Sequence, residues 1–494
     1  MATQQRSSAI EARTVEHIPL DERHGRASEM FTIWFGTGLT LAAIATGFVA
    51  TSLYALPFWA AVVALFAGCL AGGVVMALHA AQGPQTGIPQ MLQTRAQFGS
   101  YGSLLVIVLV VFMYTGFFAS NLVLGAQSVA AVSSLDDTPA ILLIGIVSTL
   151  AAIVGYRLIH RLAVAMSVVA GIALVLVFVW ALGVNGVPGS TWTGGTFTGT
   201  GLMGAVSLAS LWLIACAPFV SDYTRYMPRD TGVRSAFWST YWGAVLGAIL
   251  PMTLGALIGS AVAGTDTVTG LTTLTDGISG LIVVIFSVAL VSQNAMFVYC
   301  GSLSVITIGQ TLFDRWVPRA GARALSATAL FAVAVVLALL GRGDFLTNYT
   351  NFLLILLCVL IPWTAINLVD YYLIKHGKYD IAAMFEQDGG RYGRFNGPAI
   401  ISYLLGIAIQ IPFLSNALYT GPAAVALDGI DIAWVVGLVV ICPLYYVLMR
   451  RFGRVDDAPV PEHGAGRAPQ APPAAGNGAE PAPSPAAAKK RFAG

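Results

Sequence analysis

The sequence predicts an all-α polytopic membrane protein with twelve membrane-spanning helices. Of the 494 residues, 57% are hydrophobic and only 10% are charged, whereas soluble domains carry about 25% charged residues. Apolar stretches of about 20 residues, the length that crosses a bilayer as a helix, recur along nearly the whole chain. The composition therefore excludes an ordinary soluble protein.

The chain divides into a cytoplasmic N-terminal segment (1–30), a twelve-helix membrane domain (31–451) and a Pro- and Ala-rich cytoplasmic tail (452–494). The tail has almost no large apolar residue, so we expect it to be disordered. The predicted spans are 31–52, 55–79, 103–132, 139–156, 162–184, 202–220, 235–263, 280–308, 323–341, 345–374, 398–419 and 431–449.

The distribution of Lys and Arg predicts the orientation of the spans. With a cytoplasmic N-terminus, every Lys and Arg except Arg342 falls in a loop or terminus on the cytoplasmic side. Basic residues concentrate in the cytoplasmic loops of membrane proteins. The pattern therefore supports the span count, location in the cell membrane, and two cytoplasmic termini.

Uncharged polar residues lie midway along the third and eighth spans. On a helix, Phe117 and Asn121 share a face because they are four residues apart, and the same holds for Gln293 and Phe297. A buried amide without a partner costs several kcal/mol on strict transfer scales. These amides therefore either join neighbouring helices or bind a polar ligand. The candidate ligand-binding residues are Phe117, Ser120, Asn121, Gln293, Asn294 and Phe297.

The positions of these spans suggest an internal repeat. The third and eighth spans are each third within a group of five, and matched polar interruptions in two halves are typical of inverted-repeat transporters. Such folds also interrupt the first and sixth spans. Gly36 and Gly38 suit an unwound segment in span one, and Pro218 disturbs the backbone ladder of span six.

Charged residues avoid the span interiors. Proton-relaying transporters place a carboxylate or histidine inside the membrane, and here Asp276 and Asp370 fall near span ends. His79 and His160 lie at inner span ends, where we expect solvated imidazoles. This pattern favours Na⁺ over H⁺ as the coupling ion. H⁺ is the alternative coupling ion, and Asp276 and Asp370 are the candidate proton-carrying residues if they pack more deeply in the membrane.

No motif for catalysis, cofactor binding or metal binding is present. The sequence lacks a nucleotide-binding glycine loop, a His/Cys/Glu cluster at ligand spacing and a GxSxG motif. We therefore expect no enzyme activity, no cofactor and no nucleic-acid partner, and a lipid bilayer as the surroundings.

Three stretches resemble the nucleobase–cation symporter family in its purine–cytosine permease branch. They are GPQTGIPQMLQTRAQFGSYG at 83–102, SDYTRYMP at 221–228 and SQN at 292–294. The resemblance extends from about Pro19 to Arg451. It implies a LeuT-type five-plus-five inverted repeat with two additional C-terminal transmembrane helices, and cation-coupled uptake of cytosine, purines or related rings.

The resemblance also implies a substrate site between spans one, three, six and eight. Phe117 and Asn121 match an aromatic–amide pair of the family, Gln293 and Asn294 match its double amide, and Trp212 is the implied aromatic of span six. A carboxamide offers both donors and an acceptor, which suits the edge of a nucleobase. The candidates for cation binding are Gly36, Thr37, Gly38, Thr40 and Ser287.

Two other functions stay open. The chain could carry a different small solute, such as a hydantoin, allantoin, a vitamin or an amino acid. It could also be a membrane sensor or scaffold that binds a ligand without moving it, although the Pro- and Ala-rich tail is a poor candidate for an output domain.

Overall fold

The computed structural model describes residues 17–453 except 263, 314–315 and 317–319. By internal contacts the chain separates into two units, residues 1–456 and 457–494, and the described residues belong to the first. Regular structure in the described residues is helical, apart from one isolated bridge between Ser415 and Thr420. Beyond Gly453 the predicted tail lies outside the described residues.

The first half of the domain contains ten α-helices. They are α1 (Ala27–Gly38), α2 (Leu41–Ser52), α3 (Phe58–Ala80), α4 (Gly83–Thr86), α5 (Gln90–Phe98), α6 (Ser103–Val132), α7 (Asp137–Val154), α8 (Tyr156–Val179), α9 (Ser190–Thr193) and α10 (Gly199–Ile214). A π-helical turn, Trp180–Val184, extends α8.

The second half continues with nine. They are α11 (Ala217–Thr224), α12 (Val233–Ala261), α13 (Thr267–Leu274), α14 (Ser279–Leu312), α15 (Ala320–Gly341), α16 (Phe345–Leu368), α17 (Gly397–Gln410), α18 (Pro422–Ala426) and α19 (Ala433–Phe452). A π-helical turn, Val369–Ile374, extends α16.

Many of these helices are long and apolar enough to cross a membrane. Within the described residues 9 segments meet that criterion, and the bent pair α1–α2 raises the number to 10. One segment, Gly321–Ile374, covers both α15 and α16, and the shorter apolar segment Gly397–Phe413 contains α17. The predicted all-helical membrane fold is confirmed, and the count of twelve spans stays a prediction.

The first predicted interruption lies between α1 and α2, whose axes differ by 58°. The non-helical residues are Leu39 and Thr40, and the Thr40 hydroxyl accepts a hydrogen bond from the Ala43 amide at the start of α2. The prediction that Gly36 and Gly38 are themselves unwound is wrong, because both are helical.

Those two glycines instead allow helices to pack closely. A Cβ on Gly38 would lie 2.5 Å from the backbone of Gly247 in α12, and a Cβ on Gly36 would overlap Ser167 in α8. Small residues commonly permit such close contacts between membrane helices. The two glycines therefore do lie beside the interruption, but their role is to allow close packing of helices.

The second interruption separates α10 from α11. Ala215 and Cys216 form a turn between them, and Pro218 lies in the first turn of α11. Proline is favoured there because the amides of a first turn have no partner within the helix. The irregularity predicted near Pro218 is confirmed.

Residues from Gln82 to the end of α5 form a buried polar cluster. Gln82, Gln90, Gln93 and Gln97 are all fully buried, and the amide of Gln82 donates to Oδ1 of Asn367 at 2.8 Å. The expectation of a solvated His79 is wrong, because α11 and α16 pack against it, and the Ser221 hydroxyl donates to its carbonyl oxygen at 3.0 Å. The His79 ring is fully buried and stacks on Trp363 with ring centres 5.0 Å apart. The side chain of His160 lies outside the description.

Candidate functional site

A cavity of about 450 Å³ lies where the two helix interruptions meet the middle of α6 and α14. Its walls come from α1, α3, α6, α10, α11, α12 and α14, together with the turn between α10 and α11. The lining residues are Trp34, Thr37, Gly38, Met76, Phe117, Trp212, Leu213, Ala215, Cys216, Phe219, Ala244, Gln293, Met296 and Phe297. We call this space the central cavity.

Aromatic rings form one side of the central cavity. Phe117 stacks on Phe297 with ring centres 5.4 Å apart and planes 22° from parallel. Trp212 meets Phe117 edge to face, with centres 6.3 Å apart. The structure therefore brings together the three aromatic residues that the sequence indicated, from α6, α10 and α14.

Of the predicted amides, that of Gln293 reaches the central cavity. Its Nε2 donates to the Thr37 carbonyl oxygen at 3.5 Å, beside the first interruption. Its Oε1 accepts from Nδ2 of Asn121 at 3.2 Å. A carboxamide has two N–H donors and two acceptor lone pairs, so these contacts leave one N–H and one lone pair.

Asn121 and Asn294 lie behind this wall and do not line the central cavity. Both are almost completely buried, and Nδ2 of Asn121 donates to Oδ1 of Asn294 at 2.8 Å. Ser120 does not line the cavity either, and its hydroxyl donates to the Gly116 carbonyl one turn earlier. The sequence indicated the correct helices but could not separate the cavity-facing amide from the supporting ones.

Sequence reasoning missed Trp34. This residue lies on α1 and lines the central cavity, and its ring contacts Phe219 and Tyr223 of α11 at 5.8 and 5.4 Å between ring centres. Its indole N–H is buried and has no hydrogen-bond partner within the described part of the chain. Buried polar groups are normally paired, so the unpaired N–H marks Trp34 as a candidate ligand contact.

A second cavity adjoins the first and contains most of the predicted cation residues. It is lined by Ile33, Gly36, Thr37, Thr40, Ile159, Ala163, Met166, Tyr223, Ala289, Ser292, Gln293 and Met296. We call it the ion cavity. Thr37 and Gln293 line both cavities, whereas Gly38 lines only the central one.

Ser287 does not line the ion cavity. Its hydroxyl donates to the Val283 carbonyl, and Ser292, further along α14, supplies the hydroxyl at the cavity instead. Five residues correspond to about 140° of rotation on a helix, which explains why the two serines face different directions.

A buried carboxylate lies away from both cavities. Asp370, in the π-helical turn after α16, is fully buried and accepts hydrogen bonds from the hydroxyls of Tyr379 at 2.7 Å and Tyr445 at 2.9 Å. Tyr379 in turn accepts from the Gln97 amide at 2.7 Å. Asp276, the other acidic candidate, is exposed.

Comparisons with known proteins identify the family. Residues 17–437 match the model of a family described as permeases for cytosine/purines, uracil, thiamine and allantoin. YxlA of Bacillus subtilis (strain 168), which carries a purine-cytosine permease assignment, is 37% identical over 448 residues, covering 89% of this chain and 96% of that protein. The purine-cytosine permease fcyB of Emericella nidulans is 26% identical, covering 90% of this chain and 89% of its own length.

Solved structures show the same fold. The nucleobase-cation-symport-1 family transporter Mhp1, in a closed conformation with bromovinylhydantoin bound, aligns with a TM-score of 0.71 at 20% identity, covering 90% of this chain and 96% of Mhp1. Its inward-facing conformation aligns with a TM-score of 0.73 at 19% identity, covering 90% and 94%. This chain belongs to the family of permeases for cytosine/purines, uracil, thiamine and allantoin.

Proposed function

We propose that this protein is a secondary active transporter that uses a cation gradient to import a nucleobase, such as cytosine or a purine, across the cytoplasmic membrane. The observation that carries the proposal is the central cavity, where aromatic rings and the Gln293 amide meet between two interrupted helices. Family membership and the fold shared with Mhp1 support it.

The chemistry of the cavity suits a planar, uncharged ring. Phe117, Trp212 and Phe297 offer faces and edges against which such a ring packs. The remaining N–H and lone pair of Gln293 suit a base edge that alternates donors and acceptors. None of the described residues that line the cavity carries a charge, which favours an uncharged substrate. Asn121, Asn294 and Ser120 are proposed to support this wall.

We assign the helices to twelve spans in a five-plus-five repeat followed by two further helices. With α1–α2 as the first span and α10–α11 as the sixth, both interrupted helices take the first position of a group of five. Counting α15, α16, α17 and α19 separately completes the twelve. The distribution of Lys and Arg supports cytoplasmic termini.

We assign the coupling cation to the ion cavity. Hydroxyls of Thr37, Thr40 and Ser292 line it beside the backbone of an interrupted helix, and such oxygen atoms bind Na⁺ in transporters of this kind. The alternative ion is H⁺, with the buried Asp370 carboxylate as the group that would carry it.

Uptake of radiolabelled cytosine into proteoliposomes tests the function and the ion together. A Na⁺ gradient should drive accumulation at fixed pH, and replacing Na⁺ with choline should abolish it. A rate unchanged in choline but collapsed by a protonophore would refute Na⁺ coupling. Ser292→Ala should weaken stimulation by Na⁺, whereas Ser287→Ala, on the same helix but off the cavity, should not.

A second candidate function is transport of another heterocycle. Mhp1 was solved with bromovinylhydantoin bound, and the family description includes thiamine and allantoin. Competition of cytosine uptake by a panel of these compounds separates the alternatives. Saturable binding of cytosine without any accumulation, under either gradient, would instead indicate a sensor or scaffold.

A further inference from the structure

A third cavity of about 480 Å³ lies where the end of α16, the start of α17 and the end of α19 meet. It shares no lining residue with the central cavity or the ion cavity. Lys375, Arg391, Phe395 and Phe452 are among its lining residues. The proposed orientation places it at the cytoplasmic boundary of the membrane.

The walls of this boundary cavity are positively charged. Lys375 and Arg391 line it. A guanidinium nitrogen of Arg391 lies 3.8 Å from a carboxylate oxygen of Asp380, and the buried Asp370 carboxylate lies within electrostatic reach of Lys375. Asp380 is not part of the lining. Among the described residues that line the cavity, one lysine and one arginine carry charge and none is acidic.

Three further arginines are adjacent in the chain to lining residues, and each contacts an aromatic ring. The guanidinium of Arg394 lies 5.8 Å from the ring centre of Tyr101. Those of Arg450 and Arg451 lie 5.5 and 5.7 Å from the ring centres of Tyr446 and Phe452. Positive charge therefore concentrates on the segments that line the cavity, and such a concentration attracts anions.

The rim of the cavity is apolar and exposed. Phe395 and Phe452 both line it, with 66% and 67% of their surfaces exposed. A small soluble anion would leave these rings uncovered. A phospholipid would place its phosphate among the basic groups and its glycerol and acyl chains against the rings, so one ligand would satisfy both halves of the cavity.

We propose that the boundary cavity binds the headgroup of an anionic phospholipid from the cytoplasmic leaflet, with Lys375 and Arg391 holding the phosphate and Phe395 and Phe452 contacting the chains. Basic pockets between transmembrane helices on the cytoplasmic side are suited to such headgroups. The assignment to the cytoplasmic leaflet rests on the proposed orientation, whereas the proposed lipid site does not depend on the proposed transport function.

Lipid retention by the full-length protein tests this site without measuring transport. The protein is purified in detergent, mixed with equal phosphatidylglycerol and phosphatidylcholine, and analysed by native mass spectrometry. We expect several-fold preference for phosphatidylglycerol. Lys375→Gln should reduce that preference about five-fold, the effect of one basic group near an anionic surface. Lys378→Gln removes the same charge from an exposed position outside the lining and should change nothing.

A second pair of measurements separates a lipid from a free anion. Replacing both Phe395 and Phe452 with Ala should lower phosphatidylglycerol retention while the melting temperature stays unchanged. Inorganic phosphate at millimolar concentration should not displace the lipid. Equal retention of both lipids, equal effects of the two lysine variants, or displacement by phosphate would each overturn the proposal. Because uptake is not the readout, these outcomes are independent of the proposed transport function.

Discussion

The amide of Asn121 donates to Oδ1 of Asn294 at 2.8 Å and so joins α6 to α14 behind the central cavity. The remaining amide atoms, Oδ1 of Asn121 and Nδ2 of Asn294, are buried without a partner among the described residues. Asn121 also donates to Gln293. The two asparagines therefore form a support that orients the glutamine.

This support predicts non-additive effects of mutation. Asn121→Ala and Asn294→Ala should each reduce cytosine uptake at least about ten-fold, because each removes the 2.8 Å bond and leaves a buried donor or acceptor without that partner. Asn294→Asp should also fail, since it places a charge in an apolar interior. The double alanine variant should be little worse than either single one. Multiplicative losses at equal surface expression would show that the residues act separately.

Gln293 is predicted to dominate recognition. Gln293→Ala should lower the uptake efficiency about ten- to hundred-fold, because it removes two hydrogen bonds to the ring at about 1 kcal/mol each together with its own support contacts. Initial rates over a range of cytosine concentrations measure this. Gln293→Asn keeps the amide but shortens its reach, so an intermediate loss is expected. Normal kinetics in the alanine variant would remove Gln293 from the site.

Phe117 is predicted to act through its aromatic face. Phe117→Trp should be tolerated, since it enlarges the π surface beside the cavity, and Phe117→Ala should raise the apparent KM at least about ten-fold. Phe112→Ala, on the same helix but 48% exposed, is the matched control and should retain uptake. Equal losses from Trp and Ala at position 117 would indicate a requirement for fixed volume instead.

Trp34 is predicted to donate a hydrogen bond to the substrate. Trp34→Phe keeps the ring contacts with Phe219 and Tyr223 but removes the buried N–H. One hydrogen bond corresponds to about two- to ten-fold in affinity, so cytosine affinity should fall by that factor while the melting temperature is kept. Unchanged affinity would mean that Trp34 only packs between α1 and α11.

Gly38 is predicted to be intolerant of any side chain. A Cβ would lie 2.5 Å from the Gly247 backbone, and overpacking of this kind costs about 1–3 kcal/mol. Gly38→Ala should therefore lower the melting temperature and reduce uptake. Gly280→Ala, in α14 with no atom within 4 Å of the added Cβ, is the control and should be neutral. A stable, active Gly38→Ala variant would contradict this account of α1–α12 packing.

Much of the fold was accessible from the sequence because membrane helices are specified locally. Runs of apolar residues indicated the helices, and Pro218 located the second interruption within a few residues. The interior amides of α6 and α14 stood out because hydrocarbon penalises them. Each of these signals depends on residues close together in the chain.

What the sequence could not supply was the rotation of each helix about its axis. Consecutive residues differ by about 100° around a helix, so Gln293 faces the central cavity while Asn294 faces α6. The same uncertainty led to Ser287 in place of Ser292. His79 was misjudged for a different reason, because its neighbours, Ser221 of α11 and Trp363 of α16, lie far from it in the chain.

The Gln293 amide lines both the central cavity and the ion cavity, and it also contacts the Thr37 carbonyl beside the interruption between α1 and α2. If the two ligands bind as proposed, Gln293 contacts both of them. The four binding steps, each ligand with and without the other, then form a closed thermodynamic cycle. The factor by which the cation tightens substrate binding must then equal the factor by which the substrate tightens cation binding. The ratio of cytosine affinities measured with and without the ion should equal the ratio of ion affinities measured with and without cytosine.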